Sequence, residues 1–232
     1  MNIMMPDLMP ASPEIILGSI ASLVLLVELV AERKPPIGAI GISVAALLLM
    51  LLPSTHGSTF AGTFVSDSYS TWFKIIFLVN LILSTLASLE YIKRQGANFG
   101  EYYSVMMFAT CGMMIMASAR DLTVLYVGLE LMALSTFILT TMKRHDWWSN
   151  EAGIKYFMLG AFSSCLLLYG FALLYGLTAS TDLQRIGAHV AANGMSPALM
   201  LSMVFIIVGF AFKIGAVPFH MWVPDVYEGA PV

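Results

Sequence analysis

Lys213 lies inside the apolar run MLSMVFIIVGFAFKIG, and Gly215 and Pro218 follow it directly. An ammonium at that depth in a membrane helix costs roughly 2.5–3.5 kcal/mol on insertion scales. Packing alone has no use for it. The negative end of a helix that stops here favours the charged amine, and desolvation favours the neutral one, so the group is poised to gain and lose a proton. A charged residue beside a helix break is a common form of ion-handling site. The bland alternative is a lysine that only caps carbonyls freed at the break.

Two further ionisable residues lie within apolar runs. Glu130, in VLYVGLELMALSTFILTT, is about eight residues, or about 12 Å, from the nearer end of its run. Its short side chain does not reach water from there. It reads as a proton-exchanging carboxylate or as a neutral acid that ties two helices together. Lys155, in NEAGIKYFMLGAFSSCLLLYG, has Glu151 one turn before it. An i,i+4 ion pair or snorkelling to the interface competes with a role in transport. His220 follows the break; it reads as a hydrogen-bonding residue or as a relay that titrates near neutral pH. Lys74, near the end of its run, is expected to snorkel. Glu28 is expected to pair at the interface with Arg33 or Lys34. A carboxylate and two lysines on three successive helices form a chain of titratable groups able to pass protons through polar side chains or water.

The elements that must hold these groups are membrane helices. The chain has 232 residues, 59% hydrophobic and 11% charged, with mean hydropathy +0.84. Soluble domains carry about 25% charged residues. Apolar runs at roughly 13–31, 36–53, 70–91, 102–119, 122–142, 151–177 and 198–217 predict a polytopic all-α bundle of about seven spans, the last one broken near 214–218. Arg33 and Lys34, Lys93 and Arg94, and Lys143 and Arg144 fall in alternate connections. That asymmetry assigns those connections to the cytoplasmic or matrix side and the N-terminus to the outside. The first residues lack a basic stretch, so the first run is expected to be a retained span rather than a cleaved signal. Residues 54–69 and 178–197 read as polar external loops. Cys111 and Cys165 read as packing residues, and two cysteines do not supply the four ligands of an iron–sulfur cluster. There is no basic patch for nucleic acid, no metal-ligand spacing and no G-x-G-x-x-G stretch for NADH.

The segment PFHMWVPDVYEGAP resembles the broken-helix motif of the antiporter-like membrane subunits of respiratory complex I. GLELMALSTFIL around Glu130 and EAGIKYFMLGAFSSCLLLYG around Lys155 are similar to two further blocks of that family, in the same order. The ending VYEGAP looks more like the N branch, the counterpart of mitochondrial subunit 2, than like its sisters L and M. The resemblance is strong over residues 100–232 and weak over the first three spans. It implies an inverted-repeat antiporter-like fold, with residues 1–101 as three N-terminal helices and 102–232 as an incomplete first repeat. It implies that Lys213 takes and releases the proton, that Glu130 modulates a neighbouring lysine, and that Lys155 belongs to the same half-channel. It further implies proton translocation driven by NADH oxidation, with FMN, iron–sulfur clusters and quinone in other subunits and no redox centre in this chain. The implied partners are the other membrane subunits, especially the sister antiporter-like ones, and the lipid bilayer. The implied location is a bacterial inner membrane, or the mitochondrial inner membrane if organellar. Family members run to about twice this length, so the chain is expected to be a fragment, a split product or a truncated form, without the later lysines of the path. A multisubunit sodium/proton antiporter and a structural membrane scaffold are the competing readings.

Overall fold

A computed structural model describes residues 7–30, 37–52, 55–94, 100–143 and 145–231. Arg33, Lys34 and Arg144, on which the orientation partly rests, lie outside the described residues, as do residues 1–6. Nine α-helices are present among the described residues: α1 Ser12–Val30, α2 Ile37–Leu51, α3 Ser68–Arg94, α4 Gly100–Ala117, α5 Leu122–Thr140, α6 Trp147–Thr178, α7 Leu183–Asn193, α8 Pro197–Lys213 and α9 Trp222–Gly229. The seven apolar runs are α1–α6 and α8. Four helices, Met9–Val30, Ser68–Ile92, Leu122–Thr140 and Trp147–Thr178, are long and apolar enough to cross a membrane, and Ile37–Leu51 and Pro197–Lys213 are shorter apolar helices. Continuous helix is what lipid demands, because each backbone N–H and C=O must find its partner within the segment.

Both stretches read as plain external loops contain regular structure. Gly57–Thr59 (β1) and Phe64–Ser66 (β2) form an antiparallel hairpin, with Gly57 opposite Ser66 and Thr59 opposite Phe64. Outside the bilayer, short Thr-, Phe- and Val-bearing segments can pair as strands. The hairpin is tied to the end of α4: the Val65 N–H donates to the Ser118 carbonyl at 2.8 Å, and the Arg120 N–H donates to the Thr63 carbonyl at 2.9 Å. The second stretch holds α7, started by Asp182, whose carboxylate accepts from the N–H groups of Gln184 and Arg185.

The chain divides into two compact units, residues 1–120 with 127–136, and residues 121–126 with 137–231. In the first, α1 packs on α4, α2 on α3 and α3 on α4. Leu17, Leu48, Leu78, Leu81, Met107 and Met114 fill the centre. Here α4 and α5 meet where a Cβ on Gly112 would lie 2.6 Å from the Gly128 carbonyl oxygen, so both positions require glycine for the backbones to approach. In the second unit the main pairing is α6 with α8. Ser163 donates to the Gly209 carbonyl at 3.1 Å and Ser202 to the Gly170 carbonyl at 2.8 Å, hydroxyl-to-backbone bonds of the kind that join helices without help from water.

Candidate functional site

Helix α8 stops at Lys213, which sits in its last turn. Gly215 follows with φ +64°, the left-handed backbone that only glycine takes without strain. A Cβ there would also lie 2.9 Å from Val223 Cγ2. The Val217–Pro218 peptide bond is cis, and α9 begins at Trp222. Between them the Ala216 N–H donates to the Ala211 carbonyl at 2.8 Å and the Phe219 N–H to the Ala216 carbonyl at 2.7 Å. At the break the Phe212 carbonyl accepts from the Gly215 N–H at 3.0 Å and from the Trp222 indole N–H at 3.1 Å. The side chain of His220, in the same segment, is exposed.

The Lys213 amine lies 5.8 Å from the centre of the Phe137 ring of α5. Phe137 meets Tyr156 of α6 edge-on, with centroids 4.6 Å apart; Tyr156 stacks on Trp222 at 4.7 Å, and Trp222 on Phe212 at 5.4 Å. An aromatic column from α5, α6, α8 and α9 thus stands beside the amine. It shields the group from bulk water, and the ring face of Phe137 attracts the protonated form. Glu130 is half-buried on α5, seven residues, or about two turns, before Phe137.

Lys155 is on the third turn of α6. Its amine contacts Glu151 at 2.9 Å and Asp225 of α9 at 2.7 Å. The i,i+4 pairing expected from the sequence is present, and Asp225 is an added partner from beyond the break. Trp148, Glu151, Asp225, Glu228 and Gly229 line a small polar hollow around the lysine. Three carboxylates facing one ammonium leave excess negative charge there, which raises the local concentration of cations, protons included.

The sequence reading missed a second constellation, in the first unit. Lys74 does not snorkel: it is 0% exposed and contacts Glu14, itself 4% exposed, at 2.8 Å. Its amine also donates to the Ser66 hydroxyl at 3.3 Å and lies 5.2 Å from the centre of the Phe64 ring. The hairpin that carries Ser66 and Phe64 buries the lysine, and no apolar pattern announces a hairpin of that size. The available signal was a glutamate two residues into one run and a lysine near the same end of another. The Glu28 carboxylate accepts from the Gly100 N–H at 2.8 Å at the start of α4, and its expected partners Arg33 and Lys34 lie outside the described residues.

Residues 119–232 match the family model described as NADH:quinone oxidoreductase/Mrp antiporter, TM. The chain is similar to NADH-quinone oxidoreductase subunit N 2 of Rhizobium meliloti, with 47% identity over 94% of this chain and 47% of that one. It is similar to subunit N of Moorella thermoacetica, with 52% identity over 73% of this chain and 36% of that one. Among solved structures it resembles a chain of respiratory complex I from Thermus thermophilus, with TM-score 0.77, 31% identity, and 94% and 47% of the two chains covered. The fold also resembles a chain of an archaeal membrane-bound sulfane sulfur reductase, with TM-score 0.76 and 20% identity over 96% of this chain and 47% of that one. The chain spans about half the length of most of the curated relatives it matches. It is a multi-pass membrane protein with an antiporter-like transmembrane domain.

Proposed function

Because the chain belongs to the NADH-quinone oxidoreductase subunit N family, we propose that it moves protons across the membrane as an antiporter-like subunit of an NADH:quinone oxidoreductase. The observation that carries this reading is the placement of Lys213: a lysine in the last turn of an apolar helix, at a break built by Gly215 and Pro218, with its amine beside the Phe137 ring. The carbonyl end of α8 favours the ammonium, and the apolar column opposes it. A modest change in nearby charge therefore tips the amine between holding and releasing a proton.

Glu130 on α5 is the carboxylate that biases this choice. Lys155 and its carboxylates mark the cytoplasmic end of the path, and His220 is a relay across the segment that follows the break. Residues 102–232 form part of the first of two inverted repeats. The subunit sits in a bacterial inner membrane with its N-terminus outside and sister antiporter-like subunits as neighbours. FMN, iron–sulfur clusters and quinone in other subunits supply the redox energy, and this chain carries none of them.

The test is Lys213→Met in the full-length protein within the assembled complex. NADH-driven proton uptake into membrane vesicles should fall severalfold, with assembly on native gels unchanged. Undiminished pumping with normal assembly would remove this reading and leave the structural scaffold. The matching family model spans Mrp antiporters as well as the oxidoreductases, which keeps a sodium/proton antiporter as the second reading. Neighbouring genes for sister respiratory subunits favour the first reading, and genes for small antiporter subunits favour the second.

A further inference from the structure

The Glu14–Lys74 pair lies outside the machinery described above, in the first unit, three residues into α1 and seven into α3. Buried ion pairs repay their desolvation only when their remaining donors and acceptors are also met. This pair falls short. One Glu14 oxygen contacts the Lys74 amine, while the other, Oε2, is buried and accepts no hydrogen bond among the described residues. Two hydroxyls at the same end of the bundle share that condition. Thr59 Oγ1 is on β1, opposite Phe64, and Ser118 Oγ follows α4, where Val65 bonds its carbonyl. Unmet polar atoms gathered under one hairpin are what buried water is found to satisfy.

Few other titratable groups stand against this pair. From α4, the Cys111 thiol donates to the Glu14 backbone carbonyl at 3.5 Å. Helix α2 carries no titratable side chain. Asp67, at the start of α3, is exposed and accepts from the Ser70 N–H; Asp7 and His56 are exposed, and Arg120, which joins the hairpin through its backbone N–H, has its guanidinium Nε buried at this end of the bundle.

We propose that Glu14 is a second proton-binding site, served from the outer aqueous phase by water held beneath the hairpin. In the resting state Glu14 is a carboxylate facing the Lys74 ammonium. A hydronium ion from the outer side gives its proton to Oε2, water is released, and the carboxyl becomes neutral while Lys74 stays charged and keeps Ser66 and the Phe64 ring. The site thus reports outer acidity, the condition that builds as protons accumulate on that side. Alternation of basic residues along the chain places this end outside.

The test uses the full-length protein in its assembled complex in membrane vesicles, followed by infrared difference spectroscopy as the outer pH is lowered. The wild type should show a reversible rise in the carbonyl stretch of a protonated carboxylic acid, and Glu14→Gln should lose that component. In Lys74→Met the component should already be present at neutral pH, because a carboxyl without its ammonium stays protonated. Lys213→Met should leave it unchanged, which separates this site from the path through α8. If the single variants fail to assemble, the double variant Glu14→Gln/Lys74→Met, neutral and similar in volume, is compared with the wild type alone. Identical titrations of wild type and double variant would overturn the proposal and leave a fixed ion pair.

Discussion

Two lysine–carboxylate pairs in this chain have nearly the same length and opposite surroundings. Lys74 and Glu14 meet at 2.8 Å and are 0% and 4% exposed; Lys155 and Asp225 meet at 2.7 Å and are 43% and 50% exposed. Distance therefore does not distinguish them. What differs is what replaces each bond when a partner is removed. An exposed amine is rehydrated at once, so its pair contributes little to stability. A buried one leaves a charge with nothing to face. The first pair separates only at the cost of neutralising one partner, whereas the second opens directly into water.

The largest effect expected from this difference is at Lys74. Lys74→Met should lower unfolding stability by about 3–5 kcal/mol at neutral pH, because Glu14, buried without its ammonium, must take up a proton that the unfolded chain would not hold. The deficit should shrink as pH falls from neutral toward about 4, because the unfolded carboxyl then also binds the proton that the buried one already holds. The double variant Glu14→Gln/Lys74→Met should recover most of the loss. Denaturant titrations in detergent would show this, and equal stability of the single and double variants would end the distinction between the two pairs.

The same contrast explains what could be read from the sequence. The seven apolar helices were legible because lipid forces long uninterrupted runs. The break was legible because Gly215 and Pro218 both punctuate a helix, one by its left-handed φ and the other by its missing N–H. Lys213, Glu130 and Lys155 stood out as charges in those runs. The Glu14–Lys74 pair did not, because each residue lies near the end of its run, where a charge ordinarily reaches water. Only the hairpin of residues 57–66 changes that, and three-residue strands leave almost no periodic pattern. Asp225 was missed as the partner of Lys155 because they are seventy residues apart, and the reversal that joins them depends on the backbone path through the break.

A second prediction asks what holds α9 against α6 if the Lys155–Asp225 pair does not. The structure points to Trp222, stacked on Tyr156 and bonded to the Phe212 carbonyl. Trp222→Phe keeps a ring for stacking and removes one of the N–H groups that reach that carbonyl, another being the Gly215 backbone N–H at 3.0 Å. It should cost up to about 1.5 kcal/mol, the net contribution of one buried hydrogen bond, since the Gly215 N–H still satisfies the carbonyl. A silent Trp222→Phe with a costly Lys155→Met would reverse the roles assigned to packing and charge in this unit.

A smaller effect is expected at Asp121, the cap of α5. Burial pushes its carboxyl up, but hydrogen bonds from the Thr181 hydroxyl and the Thr123 N–H outweigh burial and hold it below the usual carboxylate range. Its contribution is therefore complete above about pH 3.9 and is lost as pH falls through the lowered native value. Asp121→Ala should cost about 1 kcal/mol at neutral pH and nothing once the medium is acid enough to protonate the native carboxyl. Thermal midpoints across pH would show the two curves converging. Parallel curves would mean that the cap is not what titrates.

The smallest stability effect belongs to Lys155, and there the comparison is sharpest. Lys155→Met and Asp225→Asn should each leave the thermal midpoint unchanged within error, because both side chains regain water when the pair opens. If the proposed path runs past Lys155, proton pumping by the assembled complex should nonetheless fall in Lys155→Met, since Glu151, Asp225 and Glu228 would then face no ammonium and would retain cations more firmly. Lys155→Arg keeps the charge and should restore pumping to a large part of the wild-type rate. A lysine that serves only as a strut predicts the reverse, with a lowered midpoint and pumping that follows the amount of folded protein. Measuring midpoint and pumping on the same preparations separates these outcomes, because only a transport role moves one and leaves the other in place.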